Sequence, residues 1–296
     1  MRQSIRRPRR LLASLALLLL LASGCGPRTL MMPTDGNYDI ERDVAYAAAS
    51  PRQGLDIYRP RQPAAGPRPL VVYLYGGLWS MGEKEEPIAV ALPGALAARG
   101  AVVVVPNYRL YPEAVFPGFM EDAAAAIAFA RRNAAAYGAD PRSIFIVGHS
   151  TGAYMAMLLG LDRHYLRDAG FGEPPPAGLV GLSGVYEPWL FENRALRPIY
   201  GPSPDRAVIL PVSHIHPGMP PSLLLAGSWD LTVDPGNTTR LAAAIREADG
   251  EAEDKLYRGI GHIDILMAGP WMPSLAPTAN DVAAFIRDRH AAALAR

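Results

Sequence analysis

The chain has 296 residues, half of them hydrophobic, with 29 basic against 28 acidic side chains and a formal net charge of +1. That length permits a sizeable buried core, and the balanced charge gives no electrostatic argument for nucleic acid or for a strongly acidic partner. A single cysteine excludes an internal disulfide, so packing alone must hold the folded part together.

The first element is a targeting segment. "MRQSIRRPRR" precedes "LLASLALLLLLASG", an apolar run of about fourteen residues, shorter than the roughly 20 a membrane-spanning helix needs. A basic start, a short apolar run and small residues after it have the order of a secretory signal peptide, here residues 1–24. Cys25 follows directly, and "LLASGC" resembles the lipobox of bacterial lipoproteins, with Ala22 where leucine is usual. That resemblance implies a lipid on Cys25 as the one membrane contact. With Gly26 next, it implies an outer-membrane or periplasmic setting in the cell envelope. Polar, Pro- and Gly-containing residues 25–37 read as a tether, and residues 38–296 as the folded domain.

Within that domain, apolar β-type runs alternate with Ala-rich amphipathic ones. "RDVAYAA" and "GLDIYRP" predict a first antiparallel pair. "LVVYLY" (70–75), "AVVVVPNY" (101–108), "SIFIVGHS" (143–150), "AGLVGLSGVY" (177–186) and "PSLLLAGSWD" (221–230) predict strands covered on both faces. "EDKLYRG" (253–259) predicts an edge strand. Helices are expected over 88–99, 117–138, 152–164, 236–248 and 278 to about 293. Such alternation implies an α/β fold with a mostly parallel sheet and helices on both faces. Residues 187–221, rich in proline and aromatics, interrupt it and are expected as a small cap or long loop over the sheet's C-terminal edge, where open α/β sheets bind ligands.

At that edge the chain reads Gly148-His149-Ser150-Thr151-Gly152, a serine between glycines where a strand becomes a helix. Such a corner lifts the hydroxyl clear of its neighbours and aims a helix N-terminus at it. A hydroxyl nucleophile needs a base and an orienting acid. Asp230, after "LLLAGSW", and His262, in "YRGIGHIDIL", follow in the required order at strand C-termini. Asp234 reads as a helix N-terminal residue, Asp264 lies too near His262 to orient it, and His149 is expected in the pocket wall. His164, His214, His216 and His290 read as surface residues, and no zinc-type spacing occurs, so neither metal nor cofactor is expected. Backbone N–H groups of Gly77, Leu78 and Thr151 are the candidate oxyanion donors, the glycines of "YGGLW" allowing close approach. Leu78, Trp79, Tyr154, Trp189 and Trp229 are candidates for the substrate wall, and Arg109 for a structural ion pair.

From Leu70 onward these motifs resemble the α/β-hydrolase carboxylesterases of the hormone-sensitive-lipase-like and arylformamidase-like branch. "YGGLWSMG" resembles its HGG-x-W loop, "NYRLYPE" its D-Y-R-L-x-P-E segment, "GHSTGA" its nucleophile elbow, and "GSWDLTVDP" and "GIGHIDI" its acid and histidine loops. Tyr75 stands where that pattern has histidine and Asn107 where it has aspartate. The resemblance implies an α/β-hydrolase fold and cofactor-free hydrolysis of a small-molecule ester through Ser150, His262 and Asp230. An amidase, formamidase or peptidase with the same three residues, or an inactive binding lipoprotein on that fold, are the alternatives.

Overall fold

In a computed structural model, residues 36–188, 191, 193–202, 205–268 and 274–295 are described. Cys25, most of the tether and Trp189 lie outside them. Eight strands form one sheet: β1 (Tyr38–Ala45), β2 (Gly54–Pro60), β3 (Arg68–Leu74), β4 (Val102–Pro106), β5 (Ala139–His149), β6 (Gly178–Leu182), β7 (Ser222–Gly227) and β8 (Ala252–Tyr257). Their order is β1-β2-β4-β3-β5-β6-β7-β8. The two first pairings are antiparallel and all others parallel. The order reverses direction around β3, between β4 and β5, which sets a crevice at the strand C-termini there.

The long helices are α1 (Pro87–Ala98), α2 (Gly118–Asn133), α3 (Thr151–Leu161), α4 (Gly236–Glu247) and α5 (Thr278–Leu294). Helices α1 and α5 pack against each other over one face of the sheet, and α2 and α3 over the other. That double cover explains the unbroken apolar strands: every residue of β4, β6 and β7 is buried. Strand β8 alternates half-buried with exposed residues until Tyr257, as its place at the edge demands.

Several boundaries differ from the sequence expectation, and three of them have a cause in the backbone. The first strand runs over Tyr38–Ala45 instead of residues 42–48, because its pairing with β2 begins four residues earlier and passes through a bulge at Asp43, where φ is 57°. Strand β5 begins at Ala139, ahead of Ser143, through a register shift against β3. Helix α2 gives way to a 3₁₀ turn at Ala134–Tyr137, which Gly138 ends in a left-handed conformation at φ 76°.

The interruption between β6 and β7 winds into short helical turns at Arg194–Leu196, Arg197–Tyr200, Arg206–Ile209 and Pro211–His214. Its Phe191 and Tyr200 rings meet Trp79 and Tyr154, so it covers the C-terminal edge beside the serine corner.

Candidate active site

Ser150 sits between β5 and α3 with φ 55° and ψ −122°, a conformation L-residues rarely adopt. Such strain costs about 1–3 kcal/mol and persists only where the surroundings enforce it. They do so here: Ser150 N–H donates to Leu182 O on β6, and its carbonyl caps the first turn of α3 through Ala153 and Tyr154. The flanking glycines are required by space. A Cβ on Gly152 would lie 2.1 Å from Leu74 O and 2.4 Å from Tyr75 O, and one on Gly148 would lie 2.1 Å from Gly152 O. The helix can therefore start directly against β3 only without side chains at these two points.

The loops after β7 and β8 bring two partners to this corner. His262 Nε2 lies 3.0 Å from Ser150 Oγ, and His262 Nδ1 lies 2.8 Å from Asp230 Oδ2. The other carboxylate oxygen of Asp230 accepts from Thr232 N–H at 2.9 Å and Val233 N–H at 2.8 Å. Burial alone would raise the pKa of this carboxyl; the hydrogen bonds from His262 and the two backbone groups outweigh it and hold it below the usual value. An ionised Asp230 places the imidazole proton on Nδ1, leaving the Nε2 lone pair toward the serine hydroxyl. A hydroxyl so placed can pass its proton to imidazole as it attacks.

His149 does something sequence reasoning missed. Its Nε2 lies 2.9 Å from the carbonyl oxygen of His262, and the two rings are 4.7 Å apart. A carbonyl only accepts, so Nε2 carries the proton. Burial, reinforced by the neighbouring His262, pulls the pKa of His149 down to about 3, and the ring stays neutral. It braces the histidine loop instead of forming a wall.

The remaining acids and histidines have local roles. Asp234 accepts from Gly236 N–H at the start of α4, and Asp264 accepts from Gly261 N–H inside the histidine loop. His164 and His214 both face Asp162, and His290 bonds Ser143 and Pro67. Arg109 forks onto Asp122 of α2 with two bonds of 2.8 Å, a structural pair. Among the described residues no group of three or more His, Cys, Asp or Glu could hold a metal ion.

The loop after β3 carries three consecutive residues at positive φ: Gly77 at 131°, Leu78 at 53° and Trp79 at 56°. A Cβ on Gly77 would lie 2.1 Å from Met81 O, so only glycine fits there. Leu78 N–H, expected to face an oxyanion, instead donates to Thr151 Oγ1 at 3.2 Å. The branched side chain of the first helical residue reaches back to the loop, which a count of backbone donors does not foresee. Gly77 N–H and Thr151 N–H have no acceptor among the described residues.

Of the wall candidates, Trp79 and Tyr154 are 1% and 0% exposed and pack with Phe119, Phe191 and Tyr200 in an aromatic cluster beneath the loop. They are core residues, because the cap closes over them. Trp229 is 70% exposed and Leu78 43%, and with Leu231 and Ile263 they are exposed apolar side chains on the three loops that carry the acid, the histidine and the candidate donors.

The sheet order and the strained serine corner define the class: this protein is an α/β-hydrolase. It belongs to the prolyl oligopeptidase family, whose model matches residues 120–270, half of the chain. The model BD-FAE matches residues 55–170. Among curated proteins the chain is 26% identical over 266 residues to a probable isoprenylcysteine alpha-carbonyl methylesterase of Arabidopsis thaliana, covering 82% of this chain and 55% of that one. It is 30% identical over 223 residues to esterase LipQ of Mycobacterium tuberculosis, covering 70% and 52%. The chain thus spans about half the length of these relatives. Two solved structures share the fold: a truncated carbohydrate esterase from gut microbiota (TM-score 0.73, 23% identity, 87% of this chain and 98% of that one) and esterase B from Lactobacillus rhamnosis (TM-score 0.74, 19%, 94% and 95%).

Proposed function

We propose that the protein is a serine carboxylesterase-type hydrolase that cleaves small-molecule esters through an acyl-enzyme. The observation that carries this reading is the 3.0 Å approach of His262 Nε2 to Ser150 Oγ at a strained strand–helix corner. Ser150 Oγ attacks the ester carbonyl while His262 takes its proton, and Asp230 fixes the ring's tautomer and supports its positive charge. The N–H groups of Gly77 and Thr151 point to the developing oxyanion, with Leu78 N–H joining them when it exchanges Thr151 Oγ1 for substrate. His262 then protonates the leaving alcohol, and water repeats the sequence on the acyl-enzyme. The exposed apolar side chains of Leu78, Trp229, Leu231 and Ile263 suit a neutral ester, and esterase relatives support the same chemistry.

The family match favours amide hydrolysis as a second reading, since the same three residues cleave amides. Parallel turnover of p-nitrophenyl esters and an aryl formamide by the full chain separates the two. Faster ester cleavage supports the first reading, and faster formamide cleavage replaces it with the second.

Export is part of the proposal. The basic and apolar order of residues 1–24 and the position of Cys25 support a cell-envelope protein tethered by lipid. Mass spectrometry of the native N-terminus tests it: a diacylglyceryl mass on Cys25 is expected, and an unmodified terminus contradicts it.

A further inference from the structure

The loop from Gly76 to Lys84 holds three successive residues at positive φ, two of them not glycine, and such a turn relaxes unless its surroundings over-determine it. Its internal bonds are few: Ser80 and Met81 N–H both reach Gly77 O. What fixes its two ends is a buried polar knot centred on Tyr75 and Asn107. Tyr75 Oη donates to Asn107 Oδ1 at 2.8 Å, and the same oxygen accepts from Lys84 N–H, at the far end of the loop, at 2.8 Å. Asn107 Nδ2 donates to Glu83 at 2.7 Å. Arg52, from the turn before β2, threads these together: it donates to Tyr75 Oη at 3.1 Å, to Gly82 O at 2.8 Å and to Tyr108 O at 3.0 Å, and pairs with Glu83. The rings of Tyr75 and Tyr108 stack at 4.8 Å, with Tyr108 Oη donating to Tyr75 O. A Cβ on Gly82 would lie 2.7 Å from the Tyr75 ring, so the loop closes directly over that phenol.

We propose that Tyr75 and Asn107, bonded to each other and braced by Arg52, are positioning residues that hold the oxyanion loop in its donor-ready shape. The two positions where the chain departs from the esterase motifs are then one feature: tyrosine in the first place and asparagine in the second bond directly to each other. Neither touches the reacting atoms. They act through the backbone of Gly77 and Leu78, where a displacement of a few tenths of an ångström weakens a bond to the oxyanion more than one to the ground-state carbonyl.

The inference rests on the serine-hydrolase reading, and its test separates the two. Tyr75→Phe removes the hydroxyl and keeps the ring stack; Asn107→Leu removes its acceptor. For the full chain on p-nitrophenyl butyrate we expect kcat to fall about tenfold or more in each, with KM within about twofold. The double variant should lose no more than the worse single one, because one connection has been cut. Affinity for a trifluoromethyl ketone, which forms an oxyanion on the serine, should fall in parallel with kcat, an effect that loss of stability alone does not produce. Arg52→Gln, which cuts the knot from its partly exposed side, should reproduce the kcat loss if either buried variant fails to fold. An active wild type with unchanged kcat in folded Tyr75→Phe, in Arg52→Gln, or additive losses in the double variant, overturns the inference alone. A wild type that neither hydrolyses esters nor reacts with a fluorophosphonate overturns both.

Discussion

The ring of His149 donates through Nε2 to the carbonyl oxygen of His262 at 2.9 Å, so the residue before the serine braces the residue that faces it. The burial of this ring has a thermodynamic signature, which its bond to the carbonyl only partly offsets. The unfolded chain takes up a proton at His149 near pH 6.5, whereas the buried ring refuses it until about pH 3. The unfolded state therefore binds more protons across that window, and stability falls as pH drops below about 6.5 toward about 3. His149→Gln can keep a donor without the titration. Urea midpoints between pH 4.5 and 7 should fall more steeply in the wild type than in the variant, and parallel curves would contradict the assignment.

Asp230→Asn should lower kcat by about 10³–10⁴ with the fold retained. The Thr232 and Val233 N–H groups claim an oxygen of this side chain. The amide oxygen therefore stays on them and its NH₂ turns to His262. The ring must then accept at Nδ1 and carry its proton on Nε2, facing Ser150 with no lone pair. Steady-state kinetics together with a circular dichroism spectrum checks this.

Gly152→Ala should destabilise the protein by about 3 kcal/mol or more. Its Cβ would press on backbone oxygens of Leu74 and Tyr75, which lead into the loop of Gly77 and Leu78. Gly160→Ala, about two turns further along α3, meets the Leu179 side chain, with Cδ1 and Cδ2 at 2.4 Å and Cγ at 2.9 Å, and no backbone atom, so a side-chain shift can relieve it. A thermal-melt comparison should rank Gly152→Ala as clearly worse; equal losses would refute the close-approach argument.

Leu231 is 99% exposed, beside Asp230. Leu231→Ser should leave stability within about 0.5 kcal/mol, yet raise KM for a long-chain p-nitrophenyl ester more than for the acetate. An equal effect on both esters would show that this side chain does not touch the acyl chain.

Much of this was legible in the sequence. Apolar runs with period-free burial marked β3 to β7, and the glycines around Ser150 marked a corner whose spatial need the backbone explains. The serine, acid and histidine could be assigned because each follows a strand at one sheet edge, so topology alone brings them near. Side-chain direction was not legible. Trp79 and Tyr154 flank the corner in sequence but turn inward, because Phe191 and Tyr200 from the interruption close over them. The Thr151 hydroxyl on Leu78 N–H and the bond from Tyr75 to Asn107 join residues 73 and 32 positions apart. No local pattern encodes such pairs. The edge strand β1 differs from its expected place because the alternation of Tyr38 and Ile40 with Asp39 and Glu41 breaks at the bulge around Asp43, which hides the strand's continuity from a short-window pattern.

The account turns on whether the hydroxyl of Ser150 is activated by His262. The most direct measurement is intact-protein and peptide mass spectrometry after brief exposure to a fluorophosphonate. The wild type should gain one adduct on Ser150, Ser150→Ala none, and His262→Ala should react at least about 10²-fold more slowly. A folded wild type that gains no adduct, or gains it equally fast without the imidazole, would contradict the account.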